Sequence, residues 1–156
     1  MRGKQAPKRT IKPDVKFNRE DVAKFINRIM KRGKKSIAQQ IVYDAFNIIL
    51  DKTKLDALEV FDNAIKNVSP NVEIKGKRVG GANYQVPMAV RSERSFTLAC
   101  RWILVAARAR KGKGLAEQLA QELIDAHNNE GTAIKKKQDT YRMAEANRAF
   151  AHFGRR

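Results

Sequence analysis

The stretch Val72-Glu73-Ile74-Lys75-Gly76-Lys77-Arg78-Val79-Gly80-Gly81-Ala82-Asn83-Tyr84-Gln85-Val86-Pro87-Met88-Ala89-Val90 changes the period of the chain. Val72 and Ile74, and later Tyr84, Val86, Met88 and Val90, fall on alternate positions, the repeat of a two-faced strand. Gly80-Gly81 lies between the two runs and is the short glycine-rich signal of a hairpin turn. Gly76 weakens the first strand, and Pro87 places the second at an edge. A lone two-stranded hairpin is marginal in water, so this one must pack on helices or be braced by a partner. Lys75, Lys77 and Arg78 make the first strand basic, and the tip carries bare glycines. Backbone approaches phosphate closely where side chains are absent, which favours a probe for nucleic acid over a plain connector.

The period on both sides is helical. Upstream, Asn18 is expected to cap a first helix, with Glu20 and Asp21 in its first turn, where the dipole favours anions. Val22, Phe25, Ile26, Ile29 and Met30 form one buried face, Lys24, Arg28, Lys31 and Lys35 a basic stripe, and Gly33 a stop. A second helix is expected from Ser36 to about Lys52, with Ile37, Ile41, Ala45, Ile48 and Ile49 inward. A third runs from Asp56 to before Pro70, with Leu58, Phe61, Ile65 and Val68 inside.

Downstream, a fourth helix is expected from Ser92 to Lys111, with Leu98, Trp102, Val105 and Ala109 on its apolar face. Arg94, Arg101 and Arg108 recur every seven residues, two helical turns, and project to a common side. Arg91 extends the row, and Arg110, Lys111 and Lys113 close it, although cations at a helix C-terminus also suit the dipole without any ligand. Gly112 and Gly114 precede a fifth helix, Leu115 to about His127, with Leu115, Leu119, Leu123 and Ala126 inward and no Lys or Arg. Thr132 is expected to cap a sixth, which carries Lys135, Lys136 and Lys137. The fold class is therefore mostly α: six helices in a bundle, with a protruding two-stranded β-hairpin between the third and fourth. Residues 1–17 hold Pro7, Pro13 and many cations but few apolar groups and read as a basic flexible arm; 18–156 read as one helical domain with the hairpin at about 72–90.

The 156 residues carry 33 Lys plus Arg against 16 Asp plus Glu, a net charge of +17, which a polyanionic partner would relieve. The excess sits in residues 1–35, 75–114 and 132–156, while 36–74 and 115–131 are acidic. Lys/Arg–phosphate contacts supply most non-specific affinity for nucleic acid. No apolar run is long enough for a membrane, and the basic N-terminus lacks the apolar core of a signal peptide, so a cytoplasmic location is expected. A single cysteine, Cys100, excludes an internal disulfide and leaves no thiol cluster for zinc.

Little points to catalysis. His127 and His152 are isolated, Glu59 and Asp62 are an ordinary surface pair, and neither Gly80-Gly81 nor Gly112/Gly114 matches a nucleotide-binding loop. Without a nucleophile, base or metal set, no enzyme activity and no cofactor are expected. Two binding functions remain. A helix-turn-helix DNA regulator would need a base-reading second helix, yet that helix is nearly neutral and offers only Gln39, Gln40 and Asn47. A binder of structured RNA uses several basic elements far apart in sequence to grip an irregular shape. Composition leaves both open.

The run Lys77-Arg78-Val79-Gly80-Gly81-Ala82-Asn83-Tyr84-Gln85-Val86-Pro87 resembles the hairpin signature of the bacterial form of the seventh small-subunit ribosomal protein family. Arg142-Met143-Ala144-Glu145-Ala146-Asn147-Arg148-Ala149-Phe150-Ala151-His152-Phe153 is similar to the family's C-terminal signature. Asp56-Ala57-Leu58-Glu59-Val60-Phe61, Gly131-Thr132-Ala133-Ile134-Lys135-Lys136-Lys137 and Arg101-Trp102 match in the same order. The resemblance implies a six-helix protein with a hairpin that is a primary binder of 16S rRNA in the 3′ major domain and nucleates assembly of the subunit head. It implies a position near the decoding region, exit-site tRNA and mRNA, beside other small-subunit proteins of the head and platform, and in some members binding to their own mRNA.

Basic stripes and resemblance together assign Arg2, Lys4, Lys8, Arg9, Lys12, Lys24, Arg28, Lys31, Lys34, Lys35, Lys75, Lys77, Arg78, Arg91, Arg94, Arg101, Arg108, Arg110, Lys111, Lys113 and Arg142 to rRNA. The resemblance places Val79, Gly80, Gly81, Ala82, Asn83 and Tyr84 nearest exit-site tRNA. Two departures stand out. Arg91-Ser92-Glu93-Arg94-Ser95 has one cation fewer than the family's usual Pro and paired arginines, and Phe153-Gly154-Arg155-Arg156 replaces its common Tyr-Arg-Trp ending.

Overall fold

The computed structural model describes Gly3, Ala6 and residues 9–154; Arg2, Lys4, Lys8 and the Arg155-Arg156 ending lie outside the described residues. The chain forms two compact units, 1–40 and 41–156. The described residues form six α-helices, one two-stranded hairpin and one short 3-10 segment.

The first unit holds α1 (Glu20–Ile29) and the start of α2 (Lys35–Thr53). Val22, Phe25, Ile26 and Ile29 are buried, as their spacing predicts; Ala23 joins them inside, while Met30, expected on the same face, is only half-buried just past the helix end. The helix start differs from expectation. Asn18 is not the cap; Arg19 occupies that position without a side-chain cap bond, and Asn18 has left-handed backbone at φ +51°. The organising residue is Asp14, which is buried. Its Oδ2 accepts from the backbone N–H of Lys16 and Phe17 at 3.0 and 3.2 Å, and its carbonyl accepts from Asn18 N at 2.9 Å. Asn18 thus serves as the left-handed residue of a tight turn, which Asn tolerates better than most residues, and its side chain is not at the capping position.

The second unit holds the rest of α2, α3 (Ala57–Val68), β1 (Val72–Val79), β2 (Ala82–Ala89), α4 (Ser92–Ala109), α5 (Leu115–His127), α6 (Gly131–Ala146) and the C-terminal 3-10 segment (Arg148–Gly154). Asp56 caps α3 by accepting from Leu58 N at 3.1 Å. Helices α3, α4, α5 and α6 pack on one another around Val60, Phe61, Ile103, Leu119 and Leu123, all fully buried. Each such side chain contributes about 1.5–3 kcal/mol relative to exposure.

The elements follow the sequence, but several faces are rotated. In α2 the buried set is Ala38, Val42, Ala45, Phe46 and Ile49; Ile37 is exposed, and Ile41 and Ile48 are only half-buried. Phe46 decides that register, since its ring meets Phe61 with centroids 5.7 Å apart. In α3, Val60 and Ala64 are buried where Leu58 and Ile65 are half-covered. In α5, Leu115 is half-buried and Ala120 lies inside. In α4, Leu98 is buried as predicted, but Trp102 is half-exposed, Ala109 exposed and Val105 63% exposed. Ala99, Cys100, Ile103, Leu104, Ala106 and Ala107 form the inner face instead. Small alanines let neighbouring helices approach, so the closest-packed side is not the side with the largest residues. Helix α4 also stops at Ala109, short of Lys111, where Arg110 turns to extended backbone (φ −67°, ψ 144°).

The hairpin pairs antiparallel from Val72↔Ala89 to Val79↔Ala82, closed by Gly80 and Gly81 at φ +57° and +89°. Both glycines occupy the positive-φ region that a two-residue hairpin turn requires.

Candidate nucleic-acid interface

In the first unit, the exposed cations gather at the end of α1. Lys24 and Arg28 are exposed on the helix, with Lys24 bridged to Glu20 at 2.9 Å. The chain then turns through Arg32 (φ +52°) and Gly33 (φ +73°), with Lys34 N bonded to Lys31 O and Lys35 N to Gly33 O. Lys31, Arg32, Lys34 and Lys35 are all exposed on this turn. Arg32 lies off the helical stripe that marks Lys24, Arg28, Lys31 and Lys35; the signal that points to it is the composition of the turn, four cations around Gly33 in residues 31–35. Arg9 and Lys12 are exposed too. At the helix start, Arg19 holds Asp21 with Nε–Oδ1 at 3.0 Å. Partial burial raises the Asp21 carboxyl, but the Arg19 and Val22 N–H bonds outweigh it and leave the pKa below the ordinary value.

In the second unit, strand alternation divides the hairpin cations. Cross-strand partners share a face, so Glu73, Lys75, Lys77, Tyr84, Val86 and Met88 lie on one side and Gly76, Arg78, Asn83 and Gln85 on the other. The first side is held from within. Glu73, largely buried, receives Lys75 Nζ at 2.9 Å and Arg94 Nε at 3.2 Å. Burial raises the Glu73 carboxyl, yet the two bonds and their charges bring its pKa below the usual value. Lys77 Nζ donates to the carbonyl of Phe153 at 2.6 Å, and the Tyr84 ring meets Phe150 and Phe153 at 5.0 and 5.4 Å. Lys77 and Tyr84, one assigned to rRNA and one to the tRNA-proximal tip, thus both have partners inside the chain. Arg78 stands exposed on the opposite face beside Asn83, and Gly80, Gly81, Ala82 and Asn83 are exposed at the end.

Helix α4 presents Arg94, Arg101 and Arg108, all exposed, on one flank. Seven residues at 1.5 Å each put neighbours about 10.5 Å apart along the axis. Val105 lies on the same flank. Arg91 is exposed at the helix start. The Arg94–Glu73 bond ties this row to the root of the hairpin. Arg110 differs. Its guanidinium donates to Glu122 Oε2 from Nε at 3.0 Å and from Nη2 at 2.6 Å, and it also holds Asp125. Its pKa is raised: burial lowers it, and the bonds to Glu122 and Asp125 more than offset that. Lys111 and Lys113 remain exposed and, with Lys52, Arg110, Glu117, Gln118 and Gln121, line an open cleft of about 410 Å³. On α6, Arg142 is exposed and paired with Asp139 at 2.8 Å. Lys137 donates to Asn67 O at 2.6 Å, whereas Lys135 and Lys136, outside the sequence-based set, face solvent.

Cys100 is buried in α4, and His152 sits on Phe153 with ring centroids 4.0 Å apart. Among the described residues no group of three His, Cys, Asp or Glu is arranged to hold a metal, and no helix is long and apolar enough to cross a membrane.

A mostly helical, strongly cationic chain with an arginine row on one helix and a glycine-tipped hairpin defines a nucleic-acid-binding protein. The family described as Ribosomal protein S7p/S5e matches residues 1–148, and the chain belongs to that family. It is 60% identical over 153 residues to small ribosomal subunit protein uS7 of Thermotoga maritima, covering 98% of this chain and 99% of the relative. It is 57% identical over 148 residues to small ribosomal subunit protein uS7 of Chloroflexus aggregans, covering 95% and 94%. Membership removes the DNA-regulator reading.

Proposed function

We propose that this chain is a primary binder of the 3′ major domain of 16S rRNA that nucleates assembly of the small-subunit head. The coarser part follows from the family: its members are structural proteins of the small ribosomal subunit that bind ribosomal RNA, and they are not enzymes. The finer part also puts the protein near the decoding centre, with the outer end of the hairpin, Arg78 to Asn83, approaching exit-site tRNA and mRNA. Neighbouring head and platform proteins would contact its other surfaces, and its own mRNA is a further RNA target.

The observation that carries this reading is the exposed row Arg94, Arg101 and Arg108, fixed to the hairpin root through Glu73. Guanidinium groups held at set intervals on a rigid helix recognise a phosphate pattern with little loss of side-chain freedom. Arg91, Lys111 and Lys113 flank the row, and the turn cations Lys31, Arg32, Lys34 and Lys35 form a second cluster. The mechanism is electrostatic and geometric: RNA shape selects the array, and counterion release supplies much of the affinity. The test is binding of a 3′ major domain transcript against an equal length of 5′ domain RNA across a salt series. Tighter binding to the first at every salt supports the assignment; equal binding overturns it.

A further inference from the structure

Hairpins of this kind need a brace, and here the brace comes from the far end of the chain. The 3-10 segment Arg148–Gly154 lies against β2. Tyr84 contacts both Phe150 and Phe153, and those two rings lie nearly parallel, 8° apart, at 6.3 Å. The Phe153 carbonyl is held by Lys77, directly across the ladder from Tyr84. Gly154 lies alongside the second strand: an added Cβ would stand in ordinary van der Waals contact, 3.4 Å from Val86 Cγ1 and 3.5 Å from Met88 Cγ. Every one of these contacts falls on the same hairpin face, from the Glu73↔Met88 pair near the root out to Lys77↔Tyr84, and none lies at the turn.

We infer that the C-terminal 3-10 segment is a strap that sets the direction of the hairpin, with Tyr84, Phe150 and Phe153 as its positioning residues. The inference deepens the ribosomal reading by naming what aims the hairpin, and it rests on that reading only for the use to which the aim is put. Two strands joined by a two-residue turn twist and bend readily on their own. Fixing them as far out as Lys77↔Tyr84 leaves only the pairs beyond it as a free lever, so Arg78 to Asn83 swing through a smaller arc. Lys77 and Tyr84 then act inside the protein, and the outer pairs act outside it. An aromatic grip suits the task, because offset ring pairs resist sliding while keeping the backbone hydrogen bonds of the ladder intact.

The experiment measures the hairpin's direction in the free, full-length protein. Spin labels are placed at Asn83→Cys and Glu59→Cys in a Cys100→Ala background, and their separation is read by pulsed dipolar spectroscopy. The strap predicts a distribution at least twice as wide in a Phe150→Ala, Phe153→Ala double variant with unchanged helical circular dichroism. It also predicts that Tyr84→Phe keeps the original width, because the ring and not the hydroxyl makes the contact. An unchanged width in the double variant, or a broadened one in Tyr84→Phe, overturns the strap. Should the double variant lose helical signal, Phe153→Ala alone is judged by the same width. Since no RNA is present, the outcome is independent of rRNA binding, so failure of the strap and failure of the ribosomal assignment are separately visible.

Discussion

Arg110 and Glu122 form a two-pronged ion pair, Nε and Nη2 both reaching one carboxylate oxygen, on a glutamate with no solvent exposure. The other oxygen, Oε1, accepts from Ala133 N at 3.0 Å and Thr132 Oγ1 at 3.3 Å. One buried acid therefore ends α4, lies within α5 and caps α6, which explains why Thr132 is not itself the cap. Arg110→Ala strands that carboxylate without its cation. Removing one partner of a buried pair typically costs about 3–5 kcal/mol; the partial exposure of Arg110 puts this variant near the lower end, read by urea denaturation. The salt slope of RNA binding should stay close to that of the unaltered chain, because the Arg110 guanidinium is already engaged by Glu122 and Asp125.

Gly131 opens α6 at φ +90°, and a Cβ there would lie 3.1 Å from Glu122 Oε1 and 3.2 Å from Asp125 Cβ. Gly80 is also left-handed, at φ +57°, but has open space around it. Gly131→Ala should cost about 2–4 kcal/mol, since a strained backbone and displacement of the capping acid add. Gly80→Ala should cost only about 1 kcal/mol, the backbone penalty alone. Thermal denaturation of the two variants side by side checks the ranking.

Glu73 titrates below an ordinary glutamate because Lys75 and Arg94 bond to it despite partial burial. Its stabilising contribution is complete above the unfolded-state pKa and is lost as pH falls through the lower folded-state value. Unfolding free energy should thus drop on acidification through the carboxylate range, and Arg94→Gln should flatten that part of the curve. The Glu73 side-chain carbon resonance should report a midpoint below the usual value, moving upward in Arg94→Gln. An unmoved midpoint would show that Arg94 does not hold the carboxylate.

The arginine row should behave as phosphate contacts. Arg101→Ala with Arg108→Ala should weaken rRNA binding at low salt and reduce the slope of log affinity against log salt by about 1–2, close to one unit per lost contact. Lys77→Met should change the slope far less, since Lys77 is bonded to the Phe153 carbonyl. Filter binding from about 50 to 200 mM salt separates the two.

Most elements were legible because their periods are plain: alternate apolar residues around Gly80-Gly81, and helical spacing elsewhere. The faces were less legible where two registers compete. Ile37 and Ile41 are at least as apolar as Ala38 and Val42, and the burial of Phe46 against Phe61 goes with the second register. The exposed Arg94, Arg101 and Arg108 row was readable because charge excludes it from a core, whatever the neighbouring register. Glu122 was unreadable for the opposite reason: a carboxylate reads as surface until a guanidinium twelve positions earlier folds onto it. The Lys77 bond to Phe153 spans 76 positions, and no local pattern encodes such a meeting.

The roughly 10.5 Å rise between successive arginines on α4 has one more effect. It is close to the Debye length in physiological saline, about 8 Å, so each guanidinium is largely hidden from the next by mobile counterions. In dilute buffer that cover thins and the like charges strain against each other. Ionic strength therefore acts in opposite senses on the two states of the molecule: it relaxes the solitary chain and loosens the assembled one.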